Sequence, residues 1–143
     1  MINRTRCLAF AVTFILLLGV VSACSGGDSS GTSPPTEAPD LASIQLEDVL
    51  TNGKPTLAEF GWRECDPCKR MKPVLEELAV EYGDRLNVVI VEVYEHMDLA
   101  RQYNIMTIPT QIVFDRNGTE VIRHIGYWDK GRIVDQMKEL KIL

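Results

Sequence analysis

Cys65-Asp66-Pro67-Cys68 lies between a short apolar run that closes at Phe60 and a helical pattern that opens at Met71. Two thiols separated by two residues, at the mouth of a helix, can pass between dithiol and disulfide. The same spacing also suits a zinc site, so the motif alone leaves two chemistries open. A second feature narrows the choice. Ile108-Pro109-Thr110 places its proline 41 positions past Cys68 and leads directly into another apolar run. Together the two stretches constrain the fold more than any other part of the chain.

The 143 residues suffice for one domain of ordinary size, and the N-terminus reduces that further. Arg4 and Arg6 form a basic start, followed from Cys7 to Val21 by 15 uncharged residues interrupted only by Thr13 and Gly19. That shape is a secretory signal over residues 1–23, shorter than the roughly 20 apolar residues a spanning helix needs. The signal closes on Val21-Ser22-Ala23-Cys24, which resembles the bacterial lipoprotein signal, in which the cysteine carries the lipid. Lipidation at Cys24 would anchor the chain to a membrane without spanning it. An ordinary signal cleaved near Ala23 is the other reading.

From Ser25 to Asp40 no large apolar residue occurs, so residues 24–40 read as the lipidated cysteine and a flexible tether. A 16-residue coil of this kind reaches on the order of 20 Å. Removal of Arg4 and Arg6 leaves 13 Lys and Arg against 20 Asp and Glu, a formal net charge of −7. Such a surface is not that of a nucleic-acid binder. Cys7 leaves with the signal and Cys24 takes the lipid, so Cys65 and Cys68 are the thiols of the domain, 41–143. A framework of structural disulfides is excluded by that count.

Along the domain, Ile44, Leu46, Val49 and Leu50 space a short helix closed by Asn52-Gly53. Pro55 to Phe60 reads as a strand. Val74, Leu75, Leu78, Ala79 and Tyr82 continue from Met71 as one face of a helix that stops at Gly83-Asp84. Leu86 to Val93 is aliphatic enough for a strand buried on both faces, in parallel with the first through a right-handed crossover. Asp98 to Tyr103 gives a short helix. Gln111 to Phe114 and Glu120 to Ile125 give two strands joined at Asp115-Arg116-Asn117-Gly118, where Asn-Gly signals a hairpin. Ile133, Val134, Met137 and Leu140 space a final helix.

This order describes an α/β domain with a central mixed sheet flanked by helices, and it resembles the thioredoxin fold from Leu41 to the C-terminus. The resemblance is carried by Ala58-Glu59-Phe60, Cys65-Asp66-Pro67-Cys68-Lys69, Pro73, Ile108-Pro109-Thr110, the Phe114 to Gly118 turn and Gly126. Two departures stand out. The extra N-terminal strand of many thioredoxins is missing, and Glu64 precedes the first cysteine where many relatives place a tryptophan, Trp62 being two positions early.

At a helix N-terminus the free N–H groups and the macrodipole favour a thiolate. Cys65 is therefore expected to be the exposed nucleophile and Cys68 the resolving thiol, with Pro67 in the first helical turn where its missing N–H is no loss. Strand alternation puts Glu59 on the face of Leu57, opposite Ala58 and Phe60. The resemblance implies that Glu59 lies behind the cysteines and serves Cys68 as a proton acceptor, a solvent-facing carboxylate being the alternative. It also implies a cis bond before Pro109, with the backbone of Ile108 pairing with substrate. Trp62, Asp66, Pro67, Ile108 and Thr110 would face that substrate, and Trp62, Tyr127 and Trp128 would form an apolar rim or else belong to the core. Lys69, Arg70 and Lys72 read as a solvated basic face, and Pro73 as a kink. His96 and His124, 28 positions apart, have no ligand-like spacing to the cysteines.

These readings describe an extracytoplasmic, lipid-anchored enzyme of the bacterial envelope that reduces protein disulfides through its dithiol, supplied by a membrane electron donor and needing no cofactor. A disulfide-forming oxidase or isomerase, and a redox-inactive or metal-carrying binding module on the same fold, remain the alternatives.

Overall fold

The computed structural model describes residues 40–42 and 45–143. The signal over 1–23, Cys24, the tether before Asp40, and Ile44 of the first helical pattern lie outside those residues. No helix among the described residues is long and apolar enough to cross a membrane.

The elements follow the expected order: α1 Leu46–Leu50, β1 Thr56–Gly61, α2 Asp66–Tyr82, β2 Asn87–Glu92, α3 Met97–Gln102, β3 Thr110–Phe114, β4 Glu120–Ile125 and α4 Lys130–Glu139. The sheet runs β2-β1-β3-β4. β1 pairs in parallel with β2 and antiparallel with β3, and β4 is antiparallel to β3 at the edge. No strand precedes α1 among the described residues. Instead the Leu41 carbonyl accepts a hydrogen bond from the Ile90 amide at 3.1 Å, and the Leu41 side chain is buried.

Alternation along β1 and β3 divides the core. Leu57 and Val113 face α2 and α4, packing with Met71, Leu75, Leu78, Ile133 and Met137. Ala58, Phe60, Ile112 and Phe114 face α1 and α3, packing with Leu46, Val89, Val91 and Leu99. The end of the sheet remote from the cysteines is held by amides: Asn52 and Asn87 bond reciprocally at 3.2 and 3.1 Å, and Asn87 also donates to Thr56 Oγ1 at 3.1 Å.

Several local expectations shift. α1 ends at a Thr51 cap, one residue before Asn52, while Gly53 takes the left-handed conformation with φ +79°. Pro73 lies within α2. The β3–β4 hairpin forms through Asp115 to Gly118 as expected, and its Asn-Gly pair is not a two-residue turn, which would need positive φ at both positions. Only Gly118 is left-handed, and Asp115 closes a wider loop by accepting from the Asn117 and Thr119 amides at 2.8 and 2.9 Å. Those bonds hold the Asp115 carboxyl below its ordinary range.

Candidate active site

Cys65 is the N-cap of α2, in extended conformation, and Pro67 occupies the first turn. The Cys65 amide donates to the Trp62 carbonyl at 2.9 Å, and Cys65 Sγ accepts from the Cys68 amide at 3.4 Å. The helix thus directs the Cys68 N–H toward the Cys65 sulfur, which stabilises negative charge there. Cys65 and Cys68 are joined in a disulfide with their Cα atoms 5.2 Å apart. They differ in access: Cys65 is part-exposed, whereas Cys68 is 7% exposed.

Behind the disulfide stands Glu59, only 2% exposed. It shares a cavity of about 470 Å³ with Cys68, Trp62, Lys69, Lys72 and Glu92. Burial, and secondarily the Glu92 carboxylate, push the Glu59 pKa up to about 8. Glu59 Oε1 has no hydrogen-bond partner. The neighbouring backbone at Gly61 is close enough that a Cβ there would overlap the Glu59 carboxylate. Glycine at 61 therefore makes room for the acid. Glu92 is in turn fixed by accepting from the Arg63 amide at 3.1 Å.

The Ile108–Pro109 bond is cis. The Pro109 carbonyl accepts from the Gly126 amide at 2.8 Å, and Thr110 Oγ1 donates to the Thr107 carbonyl at 2.7 Å. Pro109 and Thr110 are buried, and Ile108 is part-exposed. Trp62 packs edge-on to Tyr94 with ring centroids 5.0 Å apart. Asp66 is exposed, 3.9 Å from Lys69 Nζ, which also lies 3.5 Å from Glu64. Arg63 pairs with Glu95.

One expected rim residue belongs elsewhere. Trp128 is 3% exposed and sits in the core against α2 and α4. Its amide donates to Met71 Sδ at 3.2 Å and its ring stacks on His124 at 4.7 Å. The loop after β4 turns the indole inward, so the rim reduces to Trp62 and the exposed Tyr127, over which Arg70 lies at 6.0 Å. Two polar residues join Glu59 without a clear sign in the sequence. Glu92, at the end of β2, faces the same cavity, and Gln111 stands opposite Glu59 in the β1–β3 register. The only signal for Gln111 is an amide interrupting the apolar run of β3.

No group of three or more His, Cys, Asp or Glu side chains is gathered for a metal ion among the described residues. A part-exposed sulfur at a helix N-terminus, bonded to a buried one beside a buried acid, is equipped for thiol–disulfide exchange.

The family model described as thioredoxin matches residues 41–139. A thioredoxin from Alicyclobacillus acidocaldarius is 34% identical over 100 residues, covering 70% of this chain and 94% of that protein. A thioredoxin from Mycolicibacterium smegmatis is 38% identical over 94 residues, covering 64% and 83%. A bifunctional thioredoxin reductase/thioredoxin from Mycobacterium leprae is 36% identical over 93 residues, which is 65% of this chain but only 20% of that longer protein. Among solved structures, a mutant thioredoxin from Halobacterium salinarum NRC-1 superposes with a TM-score of 0.62 at 29% identity, covering 68% of this chain and 86% of that one. With the fold, the Cys65–Cys68 pair and these relatives in agreement, the chain belongs to the thioredoxin family and is a thioredoxin-like disulfide oxidoreductase.

Proposed function

We propose that this protein reduces disulfides in protein substrates of the bacterial cell envelope, tethered through a lipid on Cys24 and recharged by a membrane electron donor. The observation that carries the exchange chemistry is the unequal access of the two sulfurs, with Cys68 sharing its cavity with the buried Glu59.

In the reduced protein the Cys65 thiolate attacks a substrate disulfide. Its S–S bond breaks, one substrate sulfur leaves as thiolate, and a mixed disulfide forms with Cys65. Glu59, as carboxylate, accepts the Cys68 proton. Cys68 sulfur then attacks Cys65 sulfur and expels the second substrate thiolate. Two electrons pass to substrate, and the protein is left with the Cys65–Cys68 disulfide. A base is most effective with a pKa near the working pH, which a value of about 8 satisfies. Substrate would lie against Trp62, Asp66, Pro67 and Ile108, pairing its backbone with that of Ile108. Thr110, expected to face substrate, is buried with its hydroxyl on the Thr107 carbonyl and supports the segment from behind.

The reducing direction is supported by charge. Glu64 and Asp66 flank Cys65, and the single lysine near them, Lys69, is shared between both. Arg63 is engaged by Glu95. The Cys65 thiolate therefore gains less than in a strong oxidant, whose potential of about −120 mV reflects a strongly stabilised reduced form. Equilibration with glutathione should give a value nearer the thioredoxin level of about −270 mV. A value above about −180 mV, that of a disulfide isomerase, would assign the protein to the oxidase or isomerase class. In cells, Cys68→Ser should accumulate mixed disulfides and Cys65→Ser should not. The anchor has its own readout: Cys24→Ala should no longer partition into detergent as the processed parent does.

A further inference from the structure

Gln111 is wholly buried, and neither its Oε1 nor its Nε2 has a hydrogen-bond partner. An amide left so costs about 1–3 kcal/mol, which a leucine or methionine in its place would not. Its place in the sheet supplies a reason. Gln111 is directly opposite Glu59 across β1 and β3, and such pairs share a face with Cβ atoms about 4.5–5.5 Å apart. Glu59 Oε1 is the other orphaned buried oxygen. On its second side, Glu59 faces the apolar Ile90. Gln111 is thus the polar residue directly opposite Glu59, Glu92 being a diagonal neighbour on β2. In this structure the amide and the carboxyl are adjacent in register without a hydrogen bond between them.

We propose that Gln111 is a positioning residue whose carboxamide hydrogen-bonds the Glu59 carboxyl in both protonation states. The amide oxygen accepts from the O–H of the neutral acid, and the amide nitrogen donates to the carboxylate. A half-turn of the terminal torsion exchanges the two, so one side chain serves the acid before and after it takes a proton. The catalytic meaning of this contact rests on the role proposed for Glu59 at Cys68, whereas the contact itself does not.

Other charged groups bear on Glu59 and must be held constant in a test. Arg63 precedes α2, Lys69, Lys72 and Glu76 come from α2, Glu92 from β2, and Asp40 from the segment beside β2. Beyond Gln111, β4 contributes His124, which stacks on Trp128 and lies 3.2 Å from the Tyr127 carbonyl. The residues that α4 turns to this face are Ile133, Val134 and Met137, none titratable.

The test is a carbon-detected NMR titration of the Glu59 side-chain carboxyl in the oxidised protein, where neither active-site thiol titrates. Gln111→Met keeps length and removes both hydrogen-bonding atoms. Charge-assisted bonds are the stronger, so the carboxylate loses more than the acid. The Glu59 midpoint should rise by about half to one pH unit, a roughly 3- to 10-fold gain in proton affinity. An unmoved midpoint overturns the contact. In the unsubstituted protein, the Gln111 side-chain amide signals should shift with the same midpoint as Glu59, and flat signals would overturn it without any variant. The pH profile of exchange should move in step in Gln111→Met, but should not respond to that change when Glu59 is already Gln. If Glu59→Gln alone keeps the parent's rate, the base reading falls, and the NMR midpoint still decides the contact.

Discussion

The two faces of the sheet are built by the same strands and obey different rules. Toward α1 and α3, β1 and β3 present the buried apolar Ala58, Phe60, Ile112 and Phe114, with Thr56 and Thr110 at the ends, buried and with their hydroxyls hydrogen-bonded. Toward α2 and α4, the alternate positions hold Leu57 and Val113, then Glu59 and Gln111, side by side and equally buried. The first face excludes water and leaves neither of its threonine hydroxyls without a partner. On the second, two polar side chains are kept where they destabilise the fold, at the end of the sheet that carries the cysteines. Buried polar groups concentrated at a reactive pair are what a proton-handling site requires and a purely structural core avoids.

The largest test of that contrast is on the apolar face. Phe60→Ala removes a ring packed at 5.6 Å against Tyr103 in a site with 0% exposure. Denaturant unfolding should show a loss of about 3–5 kcal/mol. While the variant remains folded, its exchange rate should stay within a few-fold of the parent. A rate that collapses in proportion to the lost stability would mean that the two faces are not separable.

The polar face should respond in the opposite sense. Glu59 has a folded pKa of about 8 against an ordinary 4.5, so the native state holds this proton more tightly than the unfolded chain. Its contribution is fully present below about pH 4.5 and is lost as the pH rises through about 8. Stability should fall across that window by at most about 1.4 kcal/mol per pH unit. Glu59→Gln, neutral throughout, should flatten the fall and leave the variant more stable than the parent at pH 9, while its exchange rate near neutral pH drops. Measured stability curves that coincide at pH 9 would show that the carboxylate reaches solvent.

How much of this contrast can be read from sequence depends on how local its cause is. Alternation with Leu57 inside one strand places Glu59 on its face, and Cys65 with Pro67 marks the helix start, so both are legible. The pairing of Glu59 with Gln111 joins residues 52 positions apart in the chain. It depends on the antiparallel register, which no local pattern states. Trp128 is misread as a rim residue for a related reason. An aromatic near Gly126 fits a rim or a core equally well in sequence, and only the packing of Met71 beneath it decides. The amide pair of Asn52 and Asn87 is hidden in the same way, being made between a turn and a strand 35 positions apart. The β3–β4 turn is legible as a turn but not in its type, because Asp115 accepts two backbone bonds that compete with the Asn-Gly conformation.

The smallest expected effect separates burial from charge. Lys69 lies near Cys65 with its side chain 51% exposed, and both of its partners, Glu64 and Asp66, are more exposed still. Exposed pairs of this kind are worth less than about 1 kcal/mol. Lys69→Gln removes a positive charge near the thiolate, which disfavours the reduced form and should move the potential downward. With 30 mV equivalent to about 1.4 kcal/mol for a two-electron couple, the shift should not exceed about 20 mV in glutathione equilibration, and should shrink with added salt. The desolvated carboxylate of Glu59, by contrast, should keep its pH signature at high salt. A shift several times larger at Lys69, or one indifferent to salt, would mean that the rim of the site is as shielded from water as its floor, and the difference between an inner acid and an outer ring of solvated charges would be lost.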